Sequence, residues 1–181
     1  LVGTLDDRID VVEQGRPLPL FDLHCPVMSL PHAFRTTVDT IPGKVPYLRT
    51  DPARRAAWQR RLGPRTRRRV GLAWSGSPDQ AEDRRRSLPV RMLAPLFELP
   101  FEFHALQRDV RPSDADFFAG CAAVARHDAL LSDFAETAAL AAEMDLVVSV
   151  CTSVAHLAGA LARPTWVLLS FMPDYRWMLD R

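Results

Sequence analysis

From residue 70 onward the chain alternates short apolar runs with helix-length stretches, and this alternation narrows the fold more than any other feature. Val70-Gly71-Leu72-Ala73-Trp74 reads as a strand, followed by a polar loop, Ser75 to Arg86. Ser87 can cap a helix running through Pro89 to Leu99, which Pro95 shortens or kinks. Phe101 to Leu106 is a second strand, Asp114 to Ala125 a helix, and Ala129-Leu130-Leu131 a short third strand. Asp133 to Met144 carries apolar residues at helical spacing (Phe134, Ala138, Leu140, Ala141). Leu146 to Val150 is continuously apolar apart from Ser149, as a strand covered on both faces must be. Thr152 or Ser153 caps a helix through Ala162, and Thr165 to Leu169 is the last strand. Strands alternating with helices predict an α/β fold: a Rossmann-like parallel sheet with right-handed crossovers and helices on both faces. Such a sheet binds ligands beyond the carboxyl ends of its strands.

The first fifty residues differ. Pro17, Pro19, Pro26, Pro31, Pro42 and Pro46 forbid long helices there. Ile9 to Val12 and Phe21 to Leu30 can form short strands, and residues 1–50 read as the tail of a preceding domain plus a linker. Residues 51–69 form a second unit. Asp51 caps a helix with Pro52 at its first position, ending near Leu62 before Gly63-Pro64. Arg65, Arg67, Arg68 and Arg69 then read as a solvated basic linker, since no aromatic interleaving or nucleic-acid motif accompanies them. Residues 70–181 form the third unit, the ligand-binding lobe.

Formal net charge is +1, which gives no bulk field toward nucleic acid or membrane. No apolar run approaches the roughly 20 residues of a membrane span, and no charged segment precedes an apolar one as in a signal peptide. Cys25, Cys121 and Cys151 are odd in number and widely spaced. They fit a reducing cytoplasm rather than a disulfide framework or a zinc site. The expected location is cytoplasmic, at most peripheral at the inner membrane.

Four post-strand loops can carry chemistry. Ser75-Gly76-Ser77 begins the first with small residues, which let backbone N–H groups approach an anion, and Arg84-Arg85-Arg86 ends it with planar phosphate-binding forks. A mobile surface loop is the plain alternative. Cys151-Thr152-Ser153 leads from a strand into a helix, whose N-terminal amides and dipole favour phosphate. An ordinary N-cap explains the same residues. His156 lies about one turn further on and either faces the same ligand or packs. Gln107-Arg108 places a basic residue after the second strand; a surface Arg is its bland reading. Asp133 and Glu136 match a capping box, which accounts for them without a ligand. The chain has no GxxxxGK[ST], GxGxxG or GxSxG motif and no His/Asp/Glu cluster at metal-ligand spacing.

Leu146 through Leu161, followed by Pro164, resembles the signature of glycosyltransferase family 9, the ADP-heptose:lipopolysaccharide heptosyltransferase family. Gly71 to Gly76 with Arg86-Ser87-Leu88 resembles it too. The similarity is greatest to a bacterial subset whose transferase region follows tetratricopeptide repeats. There, segments like Phe21-Asp22-Leu23-His24-Cys25-Pro26 and Ile41-Pro42 to Pro46-Tyr47-Leu48 join two lobes. The resemblance implies the C-terminal, donor-binding half of a two-lobed GT-B fold. It implies metal-independent sugar transfer from a nucleotide-diphosphate sugar to a glycan or lipopolysaccharide-type acceptor, with inversion and with no cofactor. Carried over by position, Ser75, Gly76, Arg86, Arg108, Cys151, Thr152, Ser153 and His156 would line the donor site. Cys151 stands where the family usually has Asp, and a thiol accepts hydrogen bonds far more weakly than a carboxylate. The alternative is therefore a non-catalytic nucleotide-sugar-binding or scaffolding module with a degenerate site. The acceptor site and catalytic base are expected in an N-terminal lobe, and relatives continue past Trp177 to Arg181 into a closing helix. Residues 1–181 alone are not expected to turn over substrate.

Overall fold

A computed structural model describes residues 1–173 and 175–178. Asp174 and Leu179–Arg181, the end of the expected binding lobe, lie outside the described residues. Five strands form one parallel sheet: β1 (Arg69–Ala73), β2 (Glu102–Ala105), β3 (Val124–Ala125), β4 (Leu146–Val150) and β5 (Thr165–Leu168). Their spatial order is β3-β2-β1-β4-β5, so the order reverses between β1 and β4. Register there pairs Val70 with Leu146 and Ala73 with Ser149. The α/β, Rossmann-like fold expected from the alternation is the fold observed.

The helices are α1 (Leu30–Ala33), α2 (Pro52–Leu62), α3 (Asp83–Arg86), α4 (Pro112–Gly120), α5 (Phe134–Ala141) and α6 (Ser153–Ala160). Alternation along the strands divides the core into two. Val70, Leu72 and Trp74 join Phe103, Val124 and Val148 on one face, under Val90, Leu93 and the α4 rings Phe117 and Phe118. On the other face Leu106 and Val147 pack with Trp58 of α2, Ala138–Ala141 of α5, and Leu157 and Ala158 of α6. Gly71 sits beneath that second core. A Cβ there would lie 2.7 Å from Leu106 Cδ1 and 2.9 Å from Met144 Cγ, so this strand position has no room for a side chain.

Helix α2 carries few apolar residues and docks through polar contacts around one tryptophan. Asp51 caps it as expected, accepting from Ala53 N at 2.7 Å and Arg54 N at 3.2 Å. Trp58 is buried, and its indole donates to Glu136 at 2.8 Å. Arg54 pairs with Glu136 at 2.9 Å, and Arg55 with Glu143 at 2.7 Å. Asp133 caps α5 through Glu136 N at 2.8 Å, whereas the Glu136 carboxylate, expected to complete a capping box, binds Trp58 and Arg54.

Several sequence expectations are corrected. Arg69 is not part of a solvated linker: it is 2% exposed and opens β1. Its guanidinium donates to Leu62 O at 3.2 Å and Gly63 O at 2.8 Å, where α2 ends, and pairs with Glu102 at 3.0 Å. A cation at the carbonyl end of a helix satisfies the dipole and the orphan acceptors together. Arg65 likewise pairs with Asp145, at 2.6 Å; Arg67 and Arg68 are exposed. The third strand is Val124–Ala125, not Ala129–Leu131, because α4 ends at Gly120, before its expected limit. Residues Asp128–Leu130 form a 3-10 turn that delivers Leu131 into the core, so that apolar run signals burial rather than a strand. Ser87 caps no following helix; Val90–Glu98 is a series of 3-10 turns, consistent with Pro95, which lacks an N–H for α-helical bonding. Ile9–Val12 and Phe21–Leu30 are not strands: no strand pairs with them, and Val27–Ser29 turns into α1 instead.

Candidate functional site

A cleft of about 640 Å³ opens beyond the carboxyl ends of β1, β2 and β4, where the strand order reverses. The splaying of successive crossovers to opposite faces creates a crevice at such a point. Six of the residues expected from sequence line it: Ser75, Gly76, Arg86, Arg108, Thr152 and Ser153. Cys151 and His156 do not. The Cys151 thiol sulfur accepts the Trp177 indole N–H at 3.1 Å. His156 is exposed and stacks on Trp177, with centroids 5.1 Å apart and planes 16° apart.

The wall after β1 is rigidly organised. Ser75 N donates to the Gln107 side chain at 3.2 Å, while Ser75 Oγ is buried without a hydrogen-bond partner among the described residues. Gly76 N donates to Ser87 Oγ at 2.9 Å, and Gly76 O accepts from Arg111 at 3.1 Å. Behind Gly76 lies Asp83, 4% exposed. It accepts Ser87 Oγ at 2.8 Å and Arg86 Nε at 3.4 Å, and it forms a close ion pair with Arg111. Burial pushes the Asp83 carboxyl upward, but the hydrogen bonds from Ser87 and Arg111 outweigh it, so its pKa falls below the usual aspartate value. Asp83 is therefore ionised at neutral pH.

Arg86 spans the crevice. Its Nε faces Asp83, and its Nη1 donates to Cys151 O on the β4 side at 3.0 Å. Opposite stands the start of α6. Thr152 is the N-cap in extended backbone, yet no side chain caps the helix; the Thr152 hydroxyl lies 3.2 Å from Ser149 Oγ instead. Ala155 N at the start of α6 donates to Thr152 O at 3.1 Å, and Thr152, Ser153 and Val154 line the cleft. Arg108 stands at the mouth with its side chain 65% exposed, 4.0 Å from Asp109. Phe134, 54% exposed, forms the wall contributed by α5.

The start of α6 and the Arg86 guanidinium are groups that can meet an oxyanion, and Phe134 offers an aromatic face nearby. Among the described residues no group of three or more His, Cys, Asp or Glu could hold a metal ion. No helix among them is long and apolar enough to cross a membrane. Sequence reasoning missed Asp83 and Arg111. The Asp83, Arg86, Ser87 spacing was available as a local signal; Arg111, 28 residues from Asp83, gave none.

No protein-family model matches the chain. The chain is similar to protein FlbA of Caulobacter vibrioides, 26% identical over 157 residues. The match takes in 82% of this chain but only 26% of the relative, so the chain spans about a quarter of the length of the curated protein it matches. No solved structure matches.

Proposed function

We propose that this chain is the donor-binding lobe of a GT-B glycosyltransferase that takes a nucleotide-diphosphate sugar. One observation carries the reading: at the switch-point crevice, the start of α6, Ser75 and Arg86 line one cleft. Amide N–H groups and a planar guanidinium are the donors that diphosphate oxygens take, and they also offset charge on a diphosphate leaving group. The cleft volume, about 640 Å³, suits a small-molecule ligand, and Phe134 offers a surface on which a base can stack. The resemblance of the β4–α6 segment to glycosyltransferase family 9 supports the same reading. In it, an N-terminal lobe supplies the acceptor site and base, the acceptor is a glycan or lipopolysaccharide-type molecule, and tetratricopeptide repeats precede the transferase region.

Cys151 favours a second reading, a non-catalytic nucleotide-sugar-binding or scaffolding module. Its thiol is engaged by Trp177 and stands outside the cleft, where a carboxylate would be expected to meet the sugar.

Calorimetric titration with ADP, UDP and GDP tests binding. Saturable binding of one nucleotide, weakened about tenfold or more by Arg86→Ala and by Thr152→Ala, is the expected result. No binding at millimolar nucleotide would remove the donor-lobe reading for this chain. Sugar transfer is then assayed in the full-length protein; a binder without transfer fits the scaffold reading.

A further inference from the structure

The donor-lobe reading gives Arg86 a ligand but does not explain what aims it. An arginine side chain at a cleft wall has several rotatable bonds, and holding it in one pose costs entropy unless neighbours fix it. Here the fixing contacts lie outside the cleft. Asp83 and Arg111 do not line it, yet Asp83 receives Arg86 Nε, the Ser87 hydroxyl and Arg111. Arg111 in turn donates to Gly76 O and lies 3.1 Å from Ser87 Oγ. Ser87 closes the circuit by accepting Gly76 N. With Nε turned to Asp83 and Nη1 to Cys151 O, Nη2 has no hydrogen bond to a described residue, and it packs over Gly76, where a Cβ would come within 2.5 Å of it.

We infer that Asp83, held by Arg111 and Ser87, is a positioning residue that presents Arg86 to the phosphates of the ligand. The inference rests on the donor-lobe reading for the identity of that ligand. Affinity for the diphosphate is then set partly from behind the cleft wall. Removing the Asp83 charge weakens phosphate capture while leaving contacts to the nucleoside intact. A merely structural Asp83 would affect both alike, or affect only stability.

The test compares the wild-type chain with Asp83→Asn, Arg111→Met and Arg86→Lys. The first readout needs no ligand: the ¹⁵Nε–H signal of Arg86, assigned by its loss in Arg86→Lys. The expected result is a slowly exchanging signal in the wild type that turns fast-exchanging in Asp83→Asn. The second readout is affinity for the nucleoside diphosphate that binds best and for its parent nucleoside. Asp83→Asn is expected to weaken the diphosphate about tenfold or more and the nucleoside less than about twofold, with Arg111→Met intermediate. Thermal unfolding and the dispersion of core signals establish that each variant is folded. Unchanged Arg86 exchange in Asp83→Asn, or equal weakening of diphosphate and nucleoside, would overturn the inference. If the wild type binds no nucleotide, the donor-lobe reading fails, and the Arg86 signal alone decides whether Asp83 holds the side chain. Should Asp83→Asn not fold, Arg111→Met carries both readouts, with the same outcomes deciding.

Discussion

Gly76 has a Cβ position already occupied: 2.5 Å from Arg86 Nη2 and 2.7 Å from Asp83 Oδ1. The two obstacles differ. Arg86 Nη2 is the far end of a long side chain and can swing away; Asp83 is buried and held by Ser87 and Arg111. In Gly76→Ala the guanidinium yields first. The expected stability loss is about 1–2 kcal/mol, at the low end for an overpacked site. The expected loss in nucleoside diphosphate affinity is about tenfold or more. Chemical denaturation beside titration checks both, and wild-type affinity in Gly76→Ala would show that Arg86 does not need this pose. At this scale the sequence was legible where one residue and its immediate neighbours decide the outcome. Asp51 and Asp133 cap helices because their carboxylates reach amides two or three residues on. Arg69 and Arg111 were opaque because their partners are residues such as Glu102 and Asp83, brought near only by folding.

Among the elements, α2 shows how a helix with little apolar surface is held. Trp58 supplies the buried ring, and ion pairs to Glu136, Glu143 and Asp133 surround it. The Arg54 pairs are solvent-screened and contribute little each, whereas Arg55 meets a buried Glu143 carboxylate, so Trp58 and the Arg55–Glu143 contact carry the docking. Trp58→Ala is expected to cost about 3–5 kcal/mol, and Trp58→Phe, which keeps a ring but loses the hydrogen bond to Glu136, about 0.5–1.5 kcal/mol. Hydrogen exchange locates the damage: amides of residues 52–62 should lose protection first, while β1 and β4 stay protected. Equal loss in helix and sheet would mean that α2 is integral to the sheet core rather than docked on it. Strong periodicity made most elements readable, β4 to its terminal residues. The two-residue β3 was not readable, because it is defined by pairing with Phe103 and His104 and not by a pattern of its own. Val90–Glu98 was misread as a capped α-helix because its composition suits either helix type and Pro95 tips the balance.

Across the whole molecule, strand–helix alternation predicts a parallel sheet and a ligand cleft beyond its carboxyl ends, but not the strand order; the reversal between β1 and β4, where the candidate cleft lies, is visible only in the fold. The same sheet buries a titratable pair away from the cleft. His104 of β2 is 7% exposed, and its Nδ1 lies 3.1 Å from Nε2 of His127, with the two rings stacked. Burial first, then the neighbouring His127 and Arg69, lower the His104 pKa from 6.5 to about 4, against a smaller opposing pull from Glu102. His127, packed edge-on to Trp58, is lowered as well, by burial and by Arg61. The unfolded chain binds protons at these positions below about pH 6.5, whereas the folded chain refuses the His104 proton until about pH 4. Their contribution to stability is therefore complete above pH 6.5 and declines as pH falls through that window. Each pKa unit is worth about 1.4 kcal/mol, so His104 alone accounts for roughly 3 kcal/mol between neutral pH and pH 4. Urea denaturation at steps from pH 7.5 to 4 should show this decline, and His104→Gln should flatten it while lowering stability at neutral pH. An unchanged slope in His104→Gln would assign the proton uptake elsewhere. Because His127 also packs against Trp58, the acid-sensitive core lies directly beneath α2, and protonation should release that helix before the switch-point cleft is lost.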